Sequence, residues 1–478
     1  MGVTAAMISQ KEDEILGLLN SQTTATPTSG QTRTRTLTRS SSASSTSTTE
    51  SDRIDRTGLR LGWARPPIDF LIGPMMLAAA ATGNTKRLMN TLIYIRNIDF
   101  MEDNKETALY KAAGNGHVDI ARELLKKGAN IEAINNGGET PLHWAAFKGH
   151  IDVVKLLLRE GASADAINKL GKTPLHLATE RDQTAVIQLL LEEGVSIETM
   201  DRNSNTPLHL AALHNYIDSI QLLLRKGASV EAINLYNYTP LHYAALSGHT
   251  DIVQLLLQEG ASIGAIDKHS STPLHLAALN GHSTTMQLLL DKGASIKASN
   301  KYGTTPLHFA ARDGHTAMVQ LLLEKGAPIE AVDSNNYTPL HFAVRGGNYA
   351  MVKLLIENGA PTDTMDSNNN TPLRLAAQNH LNDMVQLLID HGASTEAMET
   401  DNPTPLRLAV WNDLNSGEPS LERSAPTEVM SESSSTISAS GPQPKVGESA
   451  LVSDPRDVSF VSGPAGGVFQ QRSLLTFS

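Results

Sequence analysis

An all-α solenoid of stacked helix-turn-helix units with β-hairpin-like loops, flanked by disordered tails, is the fold the sequence predicts, and three observations predict it. First, Thr-Pro-Leu-His stands at Thr140, Thr173, Thr206, Thr239, Thr272, Thr305 and Thr338, each 33 residues after the last. Thr-Ala-Leu-Tyr precedes the series in phase at Thr107, and Thr-Pro-Leu-Arg follows it at Thr371 and Thr404. Second, each period carries an apolar run such as Leu156–Leu158, Leu255–Leu257 or Leu387–Ile389, followed three residues later by Gly-Ala. Third, the composition outside the periodic region turns to Ser, Thr and Pro, which cannot supply a core.

Taken in chain order, residues 1–70 are expected to be a disordered Ser/Thr-rich tail ending in a strap. Ser21 to Ser51 has almost no large apolar residue, and Thr32–Ser40 sets hydroxyls beside arginines as basophilic kinase substrates do; phosphorylation there would reverse the local charge. Arg60, Trp63, Arg65, Pro66 and Pro67 read as a docking peptide or as a strap over the first helix pair. Phe70 to Ala81 reads as a buried helix opening a repeat domain over 71–411, with Pro74-Met75-Met76-Leu77 in phase as a degenerate first copy.

The repeat opening at Thr140 shows how one unit is built. Thr140 suits an N-cap and Pro141 the first helical position, where a missing N–H costs nothing. Ala145 and Ala146 are small enough for neighbouring helices to approach, and Gly149 can end the helix in a left-handed conformation. Ile151–Arg159 should form a second helix with Val153, Val154, Leu157 and Leu158 inward, and Asn135–Glu139 a polar turn into the Thr. One unit cannot bury its apolar face alone, so stability must come from stacking. Thr404 through Trp411 reads as a half-repeat cap, and residues 412–478, rich in Ser, Pro and Glu, as a second disordered tail.

With a period of 33 and a first helix opening Thr-Pro-Leu-His-x-Ala, the chain resembles the ankyrin-repeat family over roughly 71–411. The resemblance implies an interaction scaffold whose variable surface is the hairpin tip before each Thr and the two residues after the Ala pair. Two departures stand out. The repeat at Thr173 has Thr179 for the second Ala and Asp182-Gln183 for Gly-His, which predicts looser packing of its first helix. Arg374 and Arg407 replace the motif histidine, which removes the expected inter-repeat hydrogen bond from the last two units.

Composition narrows the chemistry. The absence of cysteine removes disulfides, thiolate metal sites and cysteine nucleophiles. A net charge of −11 argues against a broad phosphate-binding surface and so against direct nucleic-acid binding. No apolar run is long enough for a membrane span. Lys11–Glu14 interrupt any secretory core, and Ala6 spoils a myristoylation signal, so an intracellular, cytoplasmic or nuclear, location is expected. Of sixteen histidines, seven hold the motif position and five (His117, His150, His249, His282, His315) follow the helix-ending Gly. Copies in adjacent repeats should sit about 10 Å apart, too far to share a metal ion. Gly114-Asn115-Gly116 is a turn rather than a phosphate loop, and no catalytic motif stands outside the repeat framework. The expectation is a non-enzyme with no cofactor and no metal.

What remains is a partner-binding surface. The residue after the Ala pair is Phe147, Leu213, Leu246 and Leu279, interrupted by Glu180, and then Arg312 and Arg345. The tips add Tyr236, Tyr238, His269, Tyr302 and Tyr337, five of the sites where exposed aromatic or imidazole rings are expected. Together they predict a strip for a partner segment apolar at one end and acidic at the other; the competing reading has the leucines covered between first helices. Trp144 reads as core. The expected role is a protein-binding scaffold or adaptor, the alternative a nuclear transcription coregulator resembling the inhibitor-of-NF-κB type. Neither partner identity nor oligomeric state is legible.

Overall fold

The computed structural model describes residues 68–395, which form ten stacked helix pairs. Helices α1 (Ile68–Thr82) and α2 (Thr85–Leu92) open the stack, followed by α3 (Ala108–Gly114) with α4 (Val118–Lys126), α5 (Pro141–Lys148) with α6 (Ile151–Arg159) and α7 (Pro174–Thr179) with α8 (Thr184–Glu192). Then come α9 (Pro207–His214) and α10 (Ile217–Arg225), α11 (Pro240–Ser247) and α12 (Thr250–Gln258), α13 (Pro273–Leu279) and α14 (Ser283–Asp291). The last three pairs are α15 (Pro306–Arg312) and α16 (Thr316–Glu324), α17 (Pro339–Arg345) and α18 (Tyr349–Glu357), α19 (Pro372–Gln378) and α20 (Asn382–Asp390). No strand occurs among the described residues. The Ser/Thr-rich segments, the strap, Arg407 and the closing half-repeat lie outside them.

The local chemistry of each pair follows the sequence. Thr140 is extended (φ −83°, ψ 168°), and its hydroxyl oxygen accepts the His143 N–H, while Pro141 opens α5. Gly149 ends the helix at φ 79°, where a side chain would be strained. Helix α6 closes in a Schellman motif: the Ala162 N–H donates to the Leu157 carbonyl at 2.9 Å and the Gly161 N–H to Leu158 at 3.1 Å. Val153, Val154 and Leu157 are fully buried as expected, but Leu158 is only half-buried and Leu156 takes its place against the core. Helix α1 extends six residues upstream of Pro74. Its Gly73 leaves room for the Phe100 ring, which a Cβ would meet at 2.3 Å.

Buried Ala and branched aliphatic side chains run without a break from Met76 to Ala393, so the core is a column shared by successive pairs. Polar threads join the pairs as well. The motif histidine reaches forward: His143 Nε2 donates to the Lys172 carbonyl (3.1 Å), and His209, His275 and His308 do the same to Tyr238, Thr304 and Tyr337 at 2.9–3.1 Å. Because a carbonyl can only accept, Nε2 carries the proton and Nδ1 is free to accept the Thr140 N–H and hydroxyl at 3.2 and 2.9 Å. The histidine after Gly reaches backward: His150 Nε2 to the Gly114 carbonyl and His249 to Leu213, both 3.0 Å. In the repeat at Thr206, one of those lacking that histidine, the Tyr216 hydroxyl donates to the equivalent carbonyl of Glu180 at 3.2 Å.

The loops supply the third thread. In the tips from Asn168 to Asp366 a buried Asn or Asp takes two backbone N–H groups on Oδ1, as Asn168 does from Leu170 and Lys172. The Asn168 N–H donates to the Lys172 carbonyl, closing the tip like a short hairpin. Each tip then donates one N–H to the tip before it: Lys169 to Gly137, Arg202 to Leu170, Leu235 to Asn203, Lys268 to Tyr236 and Lys301 to His269, all within 2.8–3.0 Å.

The expectation of looser packing for the first helix of the Thr173 repeat holds on one side: α7 packs on α5 as fully as its neighbours do, but meets α9 over a smaller contact than other successive first helices share. Thr179 is fully buried and its hydroxyl donates to the Leu175 carbonyl at 2.8 Å; α7 is shorter, and the Asp182 carboxylate accepts the hydroxyl of buried Ser219 at 2.6 Å. At Arg374 the cap survives through its own N–H to Thr371 Oγ1 (3.2 Å), while the residue it would reach forward, 29 positions on, lies outside the described residues.

Candidate partner-binding surface

The first-helix strip is built from residues that end each first helix, so their side chains leave the core at its margin. Leu213, Leu246 and Leu279 are half-buried and rest on the shared core. They stand between the two readings of the sequence, with one face covered and one open. Their helices are held rigidly, since the carbonyls of Leu213 and Leu246 are taken by His249 and His282 of the next repeat.

Phe147 sits in a column of rings. The Trp144 indole stacks between Tyr110 (5.8 Å, 14°) and Phe147 (5.0 Å, 5°), with the Arg181 guanidinium 4.5 Å from the Phe147 centroid and Lys148 Nζ 4.9 Å from the Trp144 ring. Gly114 makes this possible, because a Cβ there would stand 1.7 Å from the indole. At the base of the column the Tyr110 hydroxyl donates to Glu139 at 3.1 Å, and burial followed by that carboxylate holds the phenol well above its ordinary range. Trp144, expected as core, is half-buried, with its indole edge within this stack.

The basic end of the strip is weaker than the sequence suggests. Arg312 is spent on Asp313, through paired bonds of 3.1 and 3.0 Å, and lies 5.5 Å from the Phe309 ring. Arg345 is exposed and lies 5.1 Å over Tyr337. Glu180, which interrupts the leucines, pairs with Lys172.

At the tips Tyr236 is exposed, whereas Tyr238 is only 8% accessible, stacked on His242 at 5.5 Å; burial raises its phenol to about 12. Tyr238 is therefore a core residue, and its expected place in the surface is corrected. His269 and Tyr302 stack at 6.0 Å and are half-buried, as is Tyr337. The rings are consequently not one continuous patch but separate pairs, each within its own tip or between two adjacent ones.

The repeat family can now be settled. A family model for ankyrin repeats, in three copies, matches residues 75–168, 153–234, 231–300, 296–366 and 347–418, far more than half of the 478 residues. The chain belongs to the ankyrin-repeat family. Among solved structures, the human ASB11 ankyrin repeat domain is similar at 30% identity and TM-score 0.43, covering 46% of this chain and 98% of that one. No curated protein matches significantly. Ankyrin repeats are protein–protein interaction modules, so the chain is an interaction scaffold in that general sense and its partners include proteins. No helix among the described residues is long and apolar enough to cross a membrane.

The ankyrin stack also exposes a column the sequence reading missed. Ile134, Ile167, Met200, Ile233 and Ile266 stand at intervals of 33 and are 53–67% accessible, with Val332 and Met365 in the same register at 49% and Ser299 in place of an aliphatic residue. Each precedes the tip Asn or Asp. The signal was present as an apolar residue beside that Asn or Asp in repeat after repeat, at a loop position where no core demands it.

Proposed function

We propose that this chain is a non-enzymatic scaffold or adaptor that holds partner proteins against its loops and first-helix margins. The periodic exposed aliphatic column carries the reading. Large apolar side chains cost solubility when they are repeated on a surface, and a recurrent apolar patch on a rigid frame is what a protein interface requires. Phe147, Leu213, Leu246 and Leu279 supply half-open apolar contacts at the first-helix margins. Tyr236, Tyr302, Tyr337 and Arg345 supply rings and a cation of the kinds that dominate interface energetics.

The histidines support the absence of catalysis by their engagement: those at the motif position are committed to a Thr cap and a neighbouring carbonyl, and burial lowers their pKa, away from general-base use at neutral pH. The reading is compatible with the cytoplasm and the nucleus, and a fluorescent fusion excluded from the nucleus would remove the coregulator alternative.

The test is a full-length Ile134→Ser/Ile167→Ser/Ile233→Ser/Ile266→Ser variant. These side chains lie more than half in water, so each change should cost no more than about 0.5 kcal/mol of stability. The expected result is a circular dichroism spectrum like that of the parent and loss of the proteins the parent captures from its native lysate. Unchanged capture by the folded variant contradicts the reading.

A further inference from the structure

Resting on the scaffold reading, a second periodic column names the chemistry of one partner segment. The residue after each tip Asn or Asp is Lys169, Arg202, Leu235, Lys268 and Lys301 in five consecutive repeats, all exposed. The same residues donate the N–H that joins tip to tip, so their backbones are tied in one register. Among the described residues none of the four cations is in an ion pair; Lys301 lies 5.0 Å over the Tyr302 ring. The nearby Asp201 and Asp267 are buried, and each spends Oδ1 on two backbone N–H groups. Repeats on either side place Asn136, Ser334 and Ser367 at this position, which confines the charge to the middle of the stack.

Packed helices set successive repeats about 10 Å apart. A polyproline II segment has three residues per turn and advances about 9 Å per turn, returning every third side chain to the same face. We infer that the tips hold an extended segment of a partner protein with carboxylates at every third residue and an apolar side chain at its centre. The carboxylates meet Lys169, Arg202, Lys268 and Lys301, and the apolar residue meets Leu235 and exposed Tyr236. Acids at a second- or fourth-residue spacing fall out of register within two repeats. No stretch of this chain outside the described residues has acids in the full pattern, which points to another protein as the source.

The test uses the full chain and two fluorescein-labelled thirteen-residue peptides. One has aspartates at its first, fourth, tenth and thirteenth positions, leucine at its seventh and prolines elsewhere; the other has the same composition with its aspartates adjacent. Fluorescence anisotropy should show the spaced peptide binding tenfold or more tightly than the clustered one, with affinity falling as salt rises. The preference should vanish in Lys169→Glu/Arg202→Glu/Lys268→Glu/Lys301→Glu, whose substitutions all lie on exposed side chains. Equal affinity for the two peptides, or an undiminished preference in the variant, overturns the inference. The scaffold reading has a separate readout, because the aliphatic column can lose its captured proteins whether or not the peptides are distinguished.

Discussion

A neutral imidazole is the residue that joins one repeat to the next. Burial lowers His209, His242, His275 and His308 to about 4, and it lowers His143, His176 and His341 in the same direction. In the unfolded chain these side chains titrate near 6.5. Between about 6.5 and 4 the unfolded state therefore binds more protons, so this contribution to stability is complete above the window and is lost as pH falls through it, on the order of a few kcal/mol per histidine. The urea midpoint should be flat above neutrality and drop between pH 6.5 and 5. His275→Leu should lower the midpoint at pH 7.5, because the Thr272 N–H and the Thr304 carbonyl lose their partner, and it should shallow the acid limb. A midpoint unchanged from pH 7.5 to 5 would contradict this account. The sequence showed the motif histidine and its Thr cap. It implied a bond from that histidine to a neighbouring repeat, but not which carbonyl, 29 residues on, accepts it, nor that Tyr216 replaces a histidine in the backward bond.

At the scale of elements, the first helices pack closely wherever their facing side chains are small, and the α3–α5 contact carries this furthest. Gly114 costs helix propensity, yet it is the space into which the Trp144 indole fits. Gly114→Ala should destabilise the protein by about 1–3 kcal/mol through overpacking, against the sign that propensity alone predicts. In a Trp144→Leu background the same change should become neutral or stabilising by up to about 1 kcal/mol, and a double-mutant cycle of chemical denaturation measures the coupling. Helix limits, caps and the turn at Gly149 were legible because they depend on residues three or four apart. Less legible were the bonds that cross repeats, such as Glu231 to the Ser262 N–H at 2.6 Å. Such a bond spans 31 residues, and its partners can be assigned only once the stacking register is known.

At the scale of the molecule, each pair packs on its neighbours, so its surface is a set of columns in which one sequence position is displayed repeat after repeat. Column membership could be read from the period, and exposure could not. Tyr238 and Tyr236 are two residues apart, but the first is core and the second is surface. Arg312 looked like a free cation until Asp313 was seen to hold it. The aliphatic column went unread because hydrophobic residues in a repeat protein are first assigned to its core. The proposed function seats partners on this column rather than on the outer face of the second helices. The most direct measurement is photo-crosslinking in the native cell, with a benzophenone amino acid at Ile167 or Ile233 and, as controls, at exposed Lys155 or Gln188 on the second helices. The account predicts discrete protein adducts from Ile167 and Ile233 and none from Lys155 or Gln188; adducts confined to Lys155 and Gln188 would contradict it.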